Sequence, residues 1–263
     1  MLPIKVIDSH THLSSPDFND DRREVLTRAK EVCSYMIDIG AGTAKNAHLS
    51  AKDLAEAEDS IFFTAGVHPH DAGDLGRNSQ LRSEIENLHE HPKCVAVGEC
   101  GLDYFYEHSS REDQFECFQW QIQRASDLKL PLMIHTREAE NDTMELLRDY
   151  HGKAIFHCFT SSQKLADFGV SKDFFISFSG IVTFKKATDL QEVAKNTPLK
   201  NILIETDSPY LAPVPLRGKR NESSYIEHTA RFLADLKGIP LEEFCRATSE
   251  NALRCFSKIQ AVS

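Results

Sequence analysis

Short apolar runs recur along the chain, each followed by a longer amphipathic stretch. The runs are Ile4–Ile7, Tyr35–Ile39, Ile61–Ala65, Val95–Val97, Leu132–Ile134, Ala154–Phe156, Phe174–Phe178 and Ile202–Ile204. They are too short and too uniformly apolar for one-sided antiparallel strands, which alternate apolar and polar positions. The stretches between them carry the 3.6-residue period of helices. Arg111–Leu128 shows it best, with Phe115, Phe118, Ile122, Ala125 and Leu128 on one face. Helices are also expected over Arg22–Val32, Ala44–Ala57, Gln80–His89, Glu138–Tyr150, Leu190–Asn196, Glu222–Leu236 and Leu241–Phe256. Eight such strands alternating with helices predict a parallel sheet joined by crossovers. An open doubly wound sheet would leave the same string.

The polar residues favour a closed α/β barrel, the (β/α)₈ or TIM barrel. Asp8-Ser9-His10-Thr11-His12 follows the first run, and residues two apart on an extended segment point the same way. Gly66-Val67-His68-Pro69-His70 follows the third run and Gly98-Glu99 the fourth. His135 follows the fifth, His157 the sixth, and Glu205-Thr206-Asp207 the eighth. In a closed barrel these strand ends converge on the C-terminal face, where active sites of this architecture lie. His10, His12, His135 and His157 with Glu99 and Asp207 then make a set suited to Zn²⁺, Mn²⁺ or Fe²⁺, and its carboxylates also suit Mg²⁺. Six ligands are too many for one catalytic ion that keeps an open position. Two ions sharing a bridging carboxylate fit better. Glu205 reads equally as a substrate contact, as a group orienting a ligand histidine, or as a core carboxylate paired with a cation. His48, His89, His91, His108, His151 and His228 fall in helices or loops and are expected at the surface.

The length of 263 residues suits one barrel of about 250. No Gly/Ser-rich linker, low-complexity tract or repeat divides it, so one domain over 1–263 is expected. Pro209–Pro215 reads as a rigid surface loop. The net charge of −10 repels phosphate backbones at long range. A nucleic-acid substrate therefore requires metal ions and a local cationic rim, for which Arg137, Lys185, Arg217 and Arg220 are candidates. Seven cysteines, an odd number with no Cys-x-x-Cys pair, read as buried free thiols in a reducing compartment. The N-terminus enters a strand at once, and no stretch approaches the roughly 20 apolar residues of a membrane span. A cytoplasmic location without membrane contact is expected.

The motifs together resemble the TatD family of metal-dependent deoxyribonucleases, within the amidohydrolase-like superfamily. The likeness runs through Asp8-Ser-His-Thr-His-Leu13, Gly66-Val-His-Pro-His70, Gly98-Glu-Cys-Gly-Leu-Asp103 and Leu130-Pro-Leu-Met-Ile-His-Thr-Arg137. It continues with His157-Cys-Phe159, Ser179-Gly-Ile-Val-Thr-Phe184, Glu205-Thr-Asp-Ser-Pro-Tyr-Leu211 and Arg217-Gly-Lys-Arg-Asn221. The chain departs from the family pattern at Thr160-Ser161-Ser162, near which the family often has Gly, and at Ser223, where it usually has Pro. The resemblance implies two divalent ions per chain, Mg²⁺, Mn²⁺ or Zn²⁺. One would be held by His10, His12, Glu99 and Asp207, the other by Glu99, His135 and His157, with Glu99 bridging. It implies hydrolysis of DNA phosphodiester bonds, with Asp207 orienting the attacking water and His68 at the phosphate or leaving group. Arg137, Glu205 and Arg217 are the further substrate-contact candidates. The same resemblance allows a tRNA substrate, through removal of D-amino acids from charged tRNA, or another ester or amide. A non-catalytic barrel would have lost a ligand, yet all six positions carry suitable residues.

Overall fold

The computed structural model describes residues 2–41 and 46–259. The strands are β1 (Val6–Thr11), β2 (Cys33–Gly40), β3 (Ile61–Ala65), β4 (Cys94–Asp103), β5 (Leu132–Arg137), β6 (Ala154–Phe156), β7 (Phe175–Phe178) and β8 (Ile202–Ile204). The helices are α1 (Arg22–Val32), α2 (Ala47–Ala57), α3 (Ala72–Arg77), α4 (Ser79–His89), α5 (Arg111–Leu128), α6 (Glu140–Leu146), α7 (Gln163–Ser171), α8 (Thr188–Asn196), α9 (Ile226–Lys237) and α10 (Leu241–Cys255). The expected helix start at Ala44 lies outside the described residues. All strands pair in parallel in the order β1 to β8. The seam between β8 and β1 closes just above the strand ends. There the Asp207 N–H donates to the His10 carbonyl at 2.9 Å and the His12 N–H to the Ser208 carbonyl at 2.8 Å. The buried Asp8 carboxylate reinforces the seam by accepting from the Thr206 N–H (2.9 Å) and hydroxyl (2.7 Å). The result is a nearly closed TIM barrel, as expected. Among the described residues no helix is long and apolar enough to cross a membrane.

Two apolar clusters divide along the strand period of two. Ile7, Ile37, Phe62, Met133, Ile155, Phe175 and Leu203 fill the barrel interior, and Cys255, Phe256 and Ile259 at the end of α10 plug its floor. Their neighbours on the other strand face, such as Val6, Met36, Ile134, Phe156 and Ile202, pack outward under the helices. The interior residues lead directly to the polar ones. His135 follows Met133 by two positions, His157 follows Ile155, and Glu205 follows Leu203, so each polar side chain stands on the same face one layer higher.

Several strands run past their apolar runs. β1, β4 and β5 continue through Thr11, Asp103 and Arg137, because a barrel interior accepts polar side chains that bond one another near its mouth. The Arg111–Leu128 helix also buries a different face from the one expected. Gln114, Cys117, Phe118, Gln121 and Ala125 are buried, whereas Phe115 and Ile122 are only partly so. Both glutamines staple loops. Gln121 accepts from the Val67 N–H (2.9 Å) and donates to the Val67 carbonyl (3.0 Å), and Gln114 does the same for Asp103 (2.8 and 3.1 Å). Two of the histidines expected at the surface are buried, His48 and His89. His48 Nε2 lies 3.3 Å from Glu84, and His89 donates from Nε2 to the Ala65 carbonyl at 2.9 Å, so each has a partner that makes burial tolerable.

Candidate metal centre

The polar layer sits at the base of a cleft of ≈ 1150 Å³ at the C-terminal face of the barrel. Register irregularities place two of its members. One lies between Asp8 and Thr11 on β1, beside His10, and another between Gly98 and Cys100 on β4, at Glu99. Gly98 has φ 140°, and a Cβ there would stand 2.6 Å from the Met133 carbonyl oxygen, so only glycine lets β4 approach β5 at this bend.

Glu99 lies at the centre. Its Oε1 is 2.8 Å from His157 Nε2, 3.2 Å from His135 Nδ1 and 3.4 Å from His68 Nε2. Its Oε2 is 3.7 Å from His10 Nε2. On that side His10 Nε2 and His12 Nε2 face each other at 3.3 Å, and Asp207 Oδ1 lies 3.5 Å from the first and 3.4 Å from the second. The His10 and His157 rings stack at 3.9 Å, joining the two halves. The structure thus brings all six expected ligands into one pocket. His10, His12 and Glu99 form one group close enough to hold an ion, and His68, Glu99 and His135 form another.

Neighbouring groups decide which ring nitrogens face the pocket. His135 Nε2 lies 3.0 Å from Asp103 Oδ2, and a carboxylate can only accept, so Nε2 carries a proton and Nδ1 is the nitrogen turned to the pocket. His157 presents Nε2 inward, with Nδ1 3.4 Å from Glu205 Oε1. His68 is the reverse case. Its Nδ1 accepts the His70 N–H at 3.1 Å, so Nε2 carries the proton and His68 enters the pocket as a donor. Burial would raise the Glu99 carboxyl, but His157 and His68, with hydrogen bonds from His135 and His157, hold it well below the ordinary range. Burial lowers His157, and the Glu99 and Glu205 carboxylates overcome it and hold the ring well above its usual value. Burial together with His157 holds His10 well below. Converging imidazole lone pairs and carboxylates repel one another unless protons or cations lie between them. The donor set therefore fits divalent metal binding.

A model of the family described as TatD related DNase matches residues 7–257. The chain belongs to the TatD-related DNase family. The uncharacterized metal-dependent hydrolase YabD of Bacillus subtilis is 39% identical over 95% of this chain and 98% of its own. The 3'-5' ssDNA/RNA exonuclease TatD of Pectobacterium parmentieri is 33% identical over 95% and 99%. The crystal structure of the TatD homologue YJJV from Escherichia coli superposes with a TM-score of 0.86 at 26% identity, covering 96% of this chain and 98% of that one. The protein is a metal-dependent hydrolase of the TatD family.

Around the TatD pocket, two groups act through others. Asp103 ends the motif Gly98-Glu-Cys-Gly-Leu-Asp103 and is not among the expected site residues. Its Oδ2 receives His135 Nε2 at 3.0 Å and His70 Nε2 at 3.1 Å. Its spacing of four from Glu99 on one strand was the available signal, since both must face inward. Burial opposes its ionisation, but hydrogen bonds from His135 and the Tyr106 amide hold it far below the usual carboxylate range. Glu205 is fully buried below the cleft floor, where its Oε1 accepts the Cys158 N–H at 2.7 Å beside His157. It is therefore placed to orient His157, and it does not open toward substrate.

The expected cationic rim separates. Arg137 lines the cleft, its guanidinium 3.9 Å from the Phe105 ring and 4.8 Å from the Tyr106 ring. Arg217 stacks on Phe184 at 4.4 Å, outside the cleft lining, and Lys185 is exposed beyond it. Arg220 is held by Asp21 and by the Asp17 carbonyl, and so braces the loop before α1.

Proposed function

We propose that this chain is a deoxyribonuclease that hydrolyses DNA phosphodiester bonds with two divalent ions per molecule. The observation that carries the reading is the placement of Glu99. One oxygen faces His135 and His157, and the other faces the His10, His12 and Asp207 side. A carboxylate so placed would bridge one ion held with His10, His12 and Asp207 and another held with His135 and His157. When bound, such a pair lowers the pKa of a water and polarises a phosphoryl oxygen. Asp207, side by side with His10 and His12 and still partly open to the cleft, orients that water and takes its proton. His68 donates from Nε2 to a phosphoryl or leaving oxygen, and Arg137 holds the phosphate at the rim. The exonuclease among the relatives supports a nucleic-acid substrate.

The test is a metal series on labelled single- and double-stranded DNA, with aminoacyl-tRNA and small esters run alongside. Chelated protein should be inactive, and Mg²⁺, Mn²⁺ or Zn²⁺ should restore DNA cleavage. Deacylation of tRNA with DNA untouched would overturn the reading. Asp207→Asn should lower turnover on the order of 10²- to 10⁴-fold with metal still bound. Glu99→Ala should cost at least one ion per chain by elemental analysis, and unchanged stoichiometry would remove the bridge.

A further inference from the structure

The most exposed large apolar side chains among the described residues gather around the metal pocket. Phe105 and Tyr106, on the loop after β4, are each 50% exposed, and Tyr210, after β8, is 56% exposed. Tyr106 and Tyr210 both line the cleft. An aromatic ring left in water forgoes its burial, so rings clustered beside a catalytic pocket mark a surface that is covered in use.

Phe105 and Tyr106 meet edge to face, 4.8 Å apart at 90°, and so make a corner with two ring faces. The Arg137 guanidinium lies against Phe105 and Tyr106, His108 stacks on Tyr106 at 5.6 Å and 5°, and His70 meets Tyr106 edge-on at 5.4 Å. The corner is also pinned to the metal centre. Asp103 Oδ1 accepts the backbone N–H groups of Phe105 and Tyr106, both at 3.0 Å, while Oδ2 of the same carboxylate receives His135. One side chain therefore sets both the ligand ring and the aromatic step above it, at a fixed separation. Exposed ring faces beside a guanidinium suit a planar base attached to an anionic phosphate. The corner suits a base with a face free of its neighbours, as in a single strand.

We propose that Phe105, Tyr106 and Arg137 form a stacking subsite for one unpaired nucleobase of a single DNA strand, next to the phosphodiester that is cut. The proposal rests on the deoxyribonuclease reading above.

The experiment uses the metal-loaded full chain and single-stranded oligonucleotides. An abasic analogue replaces the nucleotide on either side of the labelled scissile bond in turn. For the unsubstituted enzyme, one of the two abasic positions should raise KM about tenfold, the scale of one lost base–aromatic stack. The double variant Phe105→Leu/Tyr106→Leu should cleave the ordinary strand with that same raised KM and show no further loss on the abasic strand. Tyr106→Phe should behave like the unsubstituted enzyme, and Tyr106→Leu alone serves if the double variant binds less metal. An abasic penalty of equal size in the enzyme and the leucine variants would overturn the subsite, as would no penalty in either. A metal-loaded enzyme that cleaves no oligonucleotide at all would instead overturn the deoxyribonuclease reading, and this proposal with it.

Discussion

Asp103 shows what residue-level reading misses. The six ligand candidates announced themselves by following apolar runs, but a residue that acts through another carries no such mark. Asp103 fixes the His135 tautomer, and that tautomer decides whether Nδ1 or Nε2 is available to a metal. Asp103→Asn can present its amide N–H to His135, which favours the wrong tautomer. We expect metal affinity or activity to fall about 10- to 100-fold, read by metal titration followed by turnover at saturating metal. Affinity and turnover matching those of the unsubstituted chain would show that His135 is held by other contacts. The same logic divides His68 from the ligands. Its type and position resembled theirs in the sequence, and only the His70 N–H on its Nδ1 identifies it as a donor.

At the scale of elements, legibility followed the kind of side chain each element buries. β3, β6 and β8 coincide with their apolar runs because apolar residues form them, apart from the buried Thr64 in β3. β1, β4 and β5 extend past their apolar runs because their upper halves are the functional residues themselves, and apolar character stops where the chemistry starts. Helix α7 is not among the helices that the apolar period predicts. Gly169 weakens its helical signal, yet a Cβ at that position would come within 2.9 Å of the Phe156 ring, so the helix needs glycine to approach the barrel wall. Helix α5 spans the expected residues but buries another face, since Gln114 and Gln121 are polar and yet enclosed. Gln121→Leu keeps the volume and strands the Val67 N–H and carbonyl. It should cost about 1–3 kcal/mol in denaturant unfolding, and it should lower turnover by shifting the loop that carries His68. Unchanged stability would mean that water satisfies Val67 in its place.

For the whole molecule, the acidic balance and the buried imidazoles bear on stability in acid. His89 ties α4 to the end of β3, and the Lys258 ammonium beyond α10 bonds the His89 carbonyl at 3.2 Å, so three parts of the barrel meet there. Burial, against the hydrogen bond to Ala65, lowers this imidazole from 6.5 to about 4. The unfolded chain therefore takes up the proton near pH 6.5, while the folded protein resists until about pH 4. Between these values the unfolded state binds more protons, so stability rises with pH. The contribution is complete above 6.5 and is lost as pH falls through about 4. From pH 7 to 4.5 the loss should amount to about 2–3 kcal/mol from His89 alone. Depressed carboxyls such as Glu99 and Asp103 add losses of the same sign, so the measurement must isolate the imidazole. His89→Gln keeps a donor for the Ala65 carbonyl and does not titrate. Denaturant unfolding at both pH values should show a smaller acid loss for the variant than for the unsubstituted chain, whatever its stability at pH 7. Equal losses in the two proteins would mean that the folded protein already protonates His89 by pH 4.5, and the acid sensitivity would then belong to the carboxylates around the metal pocket.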